Sequence, residues 1–98
     1  MSLEDLTNTV REKMTQANFS NSIKFDLGDT GVIRVDGTQS PPVVDNEDGD
    51  AACTIKVTEA DFQDILDGNQ DAQMAFMMGK LKVEGDMGVA MQLGGALS

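Results

Sequence analysis

The chain has 98 residues, of which 17 are acidic and 7 are basic, so its formal net charge is -10. This charge repels phosphate backbones and argues against nucleic acid as a partner. The length predicts one domain, residues 1–98, with a modest core. The sequence contains no His, which removes the usual general base and the commonest transition-metal ligand. We therefore expect no metal and no cofactor.

The single cysteine and the N-terminal residues provide evidence about the cellular compartment. A single Cys forms no internal disulfide, so nothing points to an oxidising compartment. Residues 1–5 lack the basic and apolar regions of a signal peptide, and no apolar run approaches the ~20 residues of a spanning helix. We expect a cytoplasmic protein.

The first predicted element is an amphipathic helix that ends near Ala17. Ser2 and Asp5 resemble a capping box, and apolar residues recur at helical spacing: Leu3, Leu6, Val10 and Met14. This stripe is predicted to dock on the core. Its acidic charges argue against a helix that lies on a membrane.

Alternating apolar residues then predict an antiparallel sheet with one face covered. Two strands, around Ile23 to Leu27 and residues 32–37, flank a glycine-bounded turn and form a hairpin. Pro41 and Pro42 break the chain before a short strand at Val43 and Val44. An acidic connection, residues 45–50, leads to a further strand at residues 53–58.

The second half of the chain is predicted to be mainly helical. Thr58 caps a helix that contains Phe62, Ile65 and Leu66 and stops near Gly68. A Met-rich helix, residues 74–78, precedes a last strand that contains Leu81 and Val83. The uncharged tail, residues 87–98, places Met87, Met91 and Gly94 on one helical face and Val89, Leu93 and Leu97 on its neighbour.

Three groups of residues invite a catalytic or metal-binding interpretation, and the sequence favours a simpler one for each. The acidic connection does not fit a calcium loop, because Ile55 occupies the position of the bidentate Glu. Cys53 has no His to activate it and alternates with buried positions. Four carboxylates share helical spacing and are predicted to form a wet helix face: Asp61, Asp64, Asp67 and Asp71.

The methionines remain unexplained by core packing alone. Five apolar residues in succession, residues 74–78, cover more than one face of a helix, so the second face needs a partner. The pattern alone does not decide whether these methionines fill the core or form the wall of a binding site. Long, polarizable side chains suit a surface that repacks around varied apolar ligands.

Residues 52–93 resemble the second half of the sterol carrier protein type 2 domain. The most specific pieces are residues 53–55, the helix that contains Phe62 and ends at Gly68, and above all residues 79–87 with Ala90 and Met91. The resemblance is strong from Ala52 onward and weak before Ile23.

The resemblance implies an α+β fold, with a five-stranded, mostly antiparallel sheet and helices packed on one face that enclose an apolar tunnel. It also implies a non-enzymatic carrier of fatty acids, fatty acyl-CoA, phospholipids or sterols, with transient membrane contact and a monomeric state. Ligand-binding roles in the tunnel then fall on Phe62, Ile65, Leu66, Met74, Phe76, Met77, Met78, Leu81, Val83, Met87, Met91 and Leu93.

Two departures from the family pattern matter. Relatives often carry an aromatic residue and then Gln where Met77 and Met78 stand, which predicts a more wholly apolar ligand. The chain ends in residues 96–98, Ala-Leu-Ser, rather than a peroxisomal signal, which also favours the cytoplasm. The main alternative is a protein interaction module that docks a partner helix in the Met-rich groove. An enzyme such as a thioesterase is disfavoured by the absence of His.

Overall fold

The arrangement of helices and strands follows the predicted order along the chain. The computed structural model describes residues 2–17, 19–39 and 42–97, with side chains of the last helix described as far as Leu93. Pro41, the burial of Gly94 and the side chain of Leu97 lie outside what the structure describes. The elements are α1 (Leu3–Ala17), β1 (Ser22–Asp26), β2 (Val32–Asp36), β3 (Val43–Asp45), β4 (Cys53–Val57), α2 (Glu59–Leu66), α3 (Ala72–Met77), β5 (Leu81–Gly85) and α4 (Met87–Leu97).

The five strands form one mixed sheet in the order β3-β2-β1-β4-β5. The β1–β2, β2–β3 and β4–β5 pairs are antiparallel, whereas β1 and β4 are parallel. The expected fold class, an α+β fold with a mostly antiparallel sheet, is confirmed. The parallel pair joins the N-terminal three strands to the C-terminal two.

The two faces of the sheet differ in chemistry because side chains alternate along each strand. On one face, Phe25 lies between Ile33 and Ile55, and Ile23 lies between Val35 and Cys53. All these side chains are buried. They form a continuous apolar surface that the helices cover.

The opposite face carries the charged residues of the strands and the acidic connection. Lys24 Nζ lies 2.8 Å from Asp48 Oδ1, and an Arg34 Nη lies 3.0 Å from Asp45 Oδ2 and 3.5 Å from Glu47 Oε2. Glu47 and Asp48, between β3 and β4, therefore pair with strand cations. This supports the simpler interpretation of that segment.

Helix α1 begins with the predicted capping box. Asp5 N–H donates to Ser2 Oγ at 3.2 Å, and Ser2 N–H donates to an Asp5 carboxylate oxygen at 3.5 Å. Its stripe of Leu6, Val10 and Met14 is fully buried. The helix packs against β3 and α4, so its apolar face belongs to the core as predicted.

The helices that cover β4 and β5 are shorter. Thr58 Oγ1 caps α2 by accepting from Asp61 N–H at 3.2 Å, and Asp71 caps α3. Helix α3 ends at Met77, earlier than the predicted Met-rich helix, since the chain passes through Met78 to Gly79 at φ 77° before β5. Only Gly adopts such a left-handed conformation without strain. The sheet is thus covered by a long helix at one end and short ones at the other.

Candidate lipid-binding cavity

A cavity of about 960 Å³ lies between the sheet and the three C-terminal helices. Its floor consists of apolar side chains from three adjacent strands: Phe25, Ile55, Val57, Leu81 and Val83. Strand register brings these together, because Ile55 lies between Phe25 of β1 and Val83 of β5, and Val57 pairs with Leu81. The floor follows directly from alternation along the strands.

Helix α2 provides the best-packed wall. Phe62 is 1% exposed, and its ring centroid lies 4.8 Å from that of Phe25 with an interplanar angle of 38°. This tilted ring pair contributes packing energy beyond simple burial. Ile65, one turn further along, also lines the cavity. The α2 wall is therefore anchored to the floor.

The other side of the cavity is bordered by side chains that are also exposed to solvent. Phe76 and Met77 of α3, and Met87 and Met91 of α4, line the cavity. Met77 is 79% exposed and Met91 is 74% exposed. These residues form the rim of an opening. The structure thus shows an open cavity, whereas the closed tunnel implied by the resemblance is not directly seen.

Polar groups occur in the lining near the α2–α3 connection. Gln70, Asp71 and Gln73 are the non-apolar side chains there among the described residues. Asp71 Oδ1 accepts from Gln73 N–H at 2.8 Å and Met74 N–H at 3.4 Å, so it is used as a helix cap. Gln70 Oε1 is buried and accepts no hydrogen bond from any described residue. A buried acceptor of this kind is costly unless a donor reaches it.

The cavity lining carries no cation in the part of the chain that the structure describes. Nothing in the lining neutralises a carboxylate or phosphate that is buried there, and burying an unpaired charge is costly. Burial of an unpaired charged group inside the cavity is therefore disfavoured. Gln70 Oε1 offers one unoccupied acceptor to a neutral donor.

The structure places nine of the twelve predicted ligand-binding residues along this cavity. They are Phe62, Ile65, Phe76, Met77, Leu81, Val83, Met87, Met91 and Leu93. The other three lie outside the lining: Leu66 is buried in the core, while Met74 and Met78 are exposed on the surface. Contact with a ligand stays a prediction for all twelve.

Sequence reasoning missed two parts of the lining. The floor residues Phe25, Ile55 and Val57 have a signal, since their alternation marks the buried face of β1 and β4. The pairing of β1 with β4 was needed to bring them to one site. Gln70 has no comparable signal, because apolar periodicity identifies only apolar walls.

Cys53 and the carboxylates considered in the sequence analysis form no catalytic or metal-binding group among the described residues. Burial, together with the charge of Asp86, raises the pKa of the Cys53 thiol, which disfavours the nucleophilic thiolate. The described residues contain no group of three or more His, Cys, Asp or Glu side chains able to hold a metal ion. Among those residues, no helix has the length and apolar character to cross a membrane.

Comparisons with known proteins agree with this geometry. The model of the SCP-2 sterol transfer family matches residues 2–98. The chain is 45% identical over 51 residues to sterol carrier protein 2 of Homo sapiens, which covers 52% of this chain. It is 54% identical over 41 residues to peroxisomal multifunctional enzyme A of Dictyostelium discoideum, which covers 42% of this chain. Each match spans only 9% of the relative's length.

A solved structure shares the fold. Sterol carrier protein 2 from Yarrowia lipolytica, in its apo form, superposes with a TM-score of 0.70 at 29% sequence identity. The match covers 95% of this chain and 77% of that one. The mixed five-stranded sheet with its covering helices is thus the architecture of these relatives.

Proposed function

Because the chain belongs to the SCP-2 sterol transfer family, we propose that it is a non-enzymatic carrier that holds the hydrophobic part of one lipid in the cavity. The observation that carries the proposal is an apolar-lined space of about 960 Å³, bounded by three strands and three helices and open at one side. This volume lies near the top of the range for small-molecule sites, about 300–1,000 Å³.

The size of the cavity implies that it is not dry and empty in solution. At about 24 cal/mol per Å³, a dry void of this volume would cost roughly 23 kcal/mol. That exceeds the whole stability of a typical domain, about 5–15 kcal/mol. Water or an apolar ligand must therefore occupy it, and ligand binding should stabilise the fold by linkage.

Apolar burial alone provides a useful affinity. A chain of ~16 carbons that is fully buried gains about 13 kcal/mol, at roughly 0.8 kcal/mol per methylene. Subtracting an association cost of at least ~4 kcal/mol leaves at most about 9 kcal/mol. That corresponds to a Kd no tighter than about 0.3 µM. The mechanism needs no catalytic residue, and the polar end of the lipid stays at the rim or beside Gln70.

Several lipid classes are compatible with this mechanism. Fatty acids, fatty acyl-CoA and phospholipids would place charged groups at the open rim, while a sterol would place its hydroxyl inside. Native mass spectrometry of gently purified protein should reveal a lipid-sized adduct. A lipid-free protein whose melting temperature does not respond to fatty acid would refute the carrier and favour the helix-docking module.

Variants of α3 test whether this cavity is the binding site. Phe76→Asp and Met77→Asp place a charge beside the apolar chain at the cavity rim and should weaken ligand-dependent stabilisation. Met74→Asp adds the same charge to an exposed position of the same helix outside the lining. We expect it to bind a fluorescent fatty acid as the wild type does. Equal loss in all three variants, or in none, would contradict the assignment.

Two finer features belong to the same proposal. The absence of hydrolytic activity is tested by incubation with fatty acyl-CoA, and hydrolysis that Cys53→Ala abolishes would overturn it. The monomeric state is tested by sedimentation velocity. A cytoplasmic location stays a prediction, checked by imaging a fluorescent fusion in the source cell.

A further inference from the structure

Among the described residues, the easily oxidised side chains that solvent reaches are all methionines. The sequence contains no Trp, Tyr or His, and its single cysteine, Cys53, is buried. Met14 is buried in the core, while the other five described methionines are exposed: Met74, Met77, Met78, Met87 and Met91. Because an oxidant must reach the sulfur, we expect mild oxidation of the described part of the chain to fall on these five.

The cavity divides the five exposed methionines into two groups. Met77, Met87 and Met91 line the cavity, whereas Met74 and Met78 lie outside the lining. Solvent exposure does not separate the groups, since Met74 and Met78 are 56% and 63% exposed, and the three lining residues range from 48% to 79%. Contact with a bound ligand is what distinguishes them.

Hydrogen peroxide converts the thioether of methionine into a sulfoxide. The sulfur attacks one peroxide oxygen, an S–O bond forms as the O–O bond breaks, and the second oxygen leaves as water. Sulfur gives up the two electrons that reduce the peroxide, so the step needs no catalytic group and no further reactant. A polar, hydrogen-bond-accepting side chain replaces an apolar one, and methionine sulfoxide reductases reverse the change.

We propose that Met77, Met87 and Met91 form a modification site at which hydrogen peroxide reversibly lowers the affinity of the cavity for lipid. This inference rests on the proposed carrier function and adds a chemical control of it. It assigns the same modification at Met74 and Met78 no effect on lipid binding, because those side chains lie outside the lining.

The exposure of the three lining methionines determines which equilibrium the sulfoxide shifts. In the ligand-free protein their sulfoxide oxygens stay in water, so the free energy of unfolding changes little. In the complex, the apolar lipid chain displaces that water and offers the oxygen no hydrogen bond, which is costly. Oxidation therefore penalises the complex and spares the fold.

Peptide mapping of peroxide-treated wild-type protein, with and without saturating fatty acid, gives the first test. Bound lipid covers the lining sulfurs, so it should slow sulfoxide formation at Met77, Met87 and Met91 about threefold or more. Met74 and Met78 serve as internal controls, and their rates should change by less than about twofold. Equal protection of both groups, or of neither, would overturn the proposal.

Titration of a fluorescent fatty acid before and after peroxide treatment gives the second test. In the wild type, each lining sulfoxide should weaken binding about fivefold, and all three together roughly a hundredfold. Methionine sulfoxide reductase should restore the affinity. The melting temperature of the ligand-free protein should fall by less than about 4 °C. A larger fall would show that oxidation damages the fold, and would overturn the proposal.

Two sets of leucine substitutions locate the effect, each compared with its own untreated sample. Met77→Leu, Met87→Leu and Met91→Leu combined should make fatty-acid affinity insensitive to peroxide within about twofold. Met74→Leu and Met78→Leu combined should leave the protein as sensitive as the wild type. Retained sensitivity in the first variant, or lost sensitivity in the second, would contradict the assignment.

Failure of the modification site is distinguishable from failure of the carrier function. Untreated wild-type protein reports on the cavity alone, and if it binds no fatty acid, the carrier is refuted and the modification site with it. Equal binding before and after treatment, with the three sulfoxides verified by mass spectrometry, would refute only the modification site.

Discussion

Filling the cavity should stabilise the protein and weaken ligand binding at the same time. Ala90 of α4 lines the cavity and is half-buried, so Ala90→Leu adds three carbon atoms to the lining. At about 0.8 kcal/mol per buried carbon, the ligand-free protein gains roughly 2 kcal/mol. For a domain of this size, that raises the melting temperature by about 8–16 °C. Most core enlargements do the opposite, because a filled core has no room for them.

The same substitution removes space from the ligand. Excluding about three methylenes costs the complex roughly 2 kcal/mol, which weakens binding about thirtyfold. Differential scanning calorimetry and fatty-acid titration measure the two effects on one protein sample. Ala60→Leu makes the same change at an exposed position of α2 and should shift stability by less than about 0.5 kcal/mol. If Ala90→Leu destabilises the ligand-free protein, or binds fatty acid with wild-type affinity, the space described here is not a ligand cavity.

Three further predictions concern individual side chains. The wild type should bind dodecanol about fivefold more tightly than its methyl ether, because only the alcohol can donate a hydrogen bond to Gln70. Gln70→Met should remove this preference, and Gln73→Met should keep it. Calorimetric titration of both ligands measures the difference. The Cys53 thiol should react with iodoacetamide roughly tenfold or more slowly in the native protein than in urea, and equal rates would contradict its burial. A hydrogen bond from the Lys24 ammonium, together with charge attraction, lowers the pKa of Asp48 below its ordinary 3.8. The ion pair therefore contributes its full stability above pH 3.8, and this contribution is lost as pH falls through the pKa of the folded state. Urea midpoints from about pH 5 to about pH 2 should therefore fall, and Asp48→Asn should reduce that fall.

Local patterns accounted for most of the secondary structure. Alternation around Phe25 and Ile55 and the helical spacing from Leu3 to Met14, at 3, 4 and 4 residues, gave the correct elements, since each pattern reports which face of one element is buried. Turn glycines also behaved as expected, with Gly28, Gly31 and Gly68 all at positive φ. These features depend on neighbours along the chain and are visible in the sequence.

The arrangement of the site depended on contacts that are distant in sequence. The parallel pairing of Phe25 with Ile55 places two floor residues side by side although they lie 30 positions apart. The exposure of Met74 and Met78 depends on how α3 is turned relative to the sheet, and its six residues are too few for periodicity to fix that orientation. Family resemblance supplied the wall residues but not the polar group at Gln70.

The two edges of the sheet bear on how the ligand-free protein stays in solution. An unpaired strand edge is a template for assembly with other chains, and an exposed apolar opening beside it increases that hazard. One edge strand, β3, has only three residues. The other, β5, carries Lys82 and Glu84 on either side of Val83. Charge and short length at these edges therefore oppose fibril-like aggregation. A protein this small can then keep an exposed apolar opening for lipid without assembling through its strand edges.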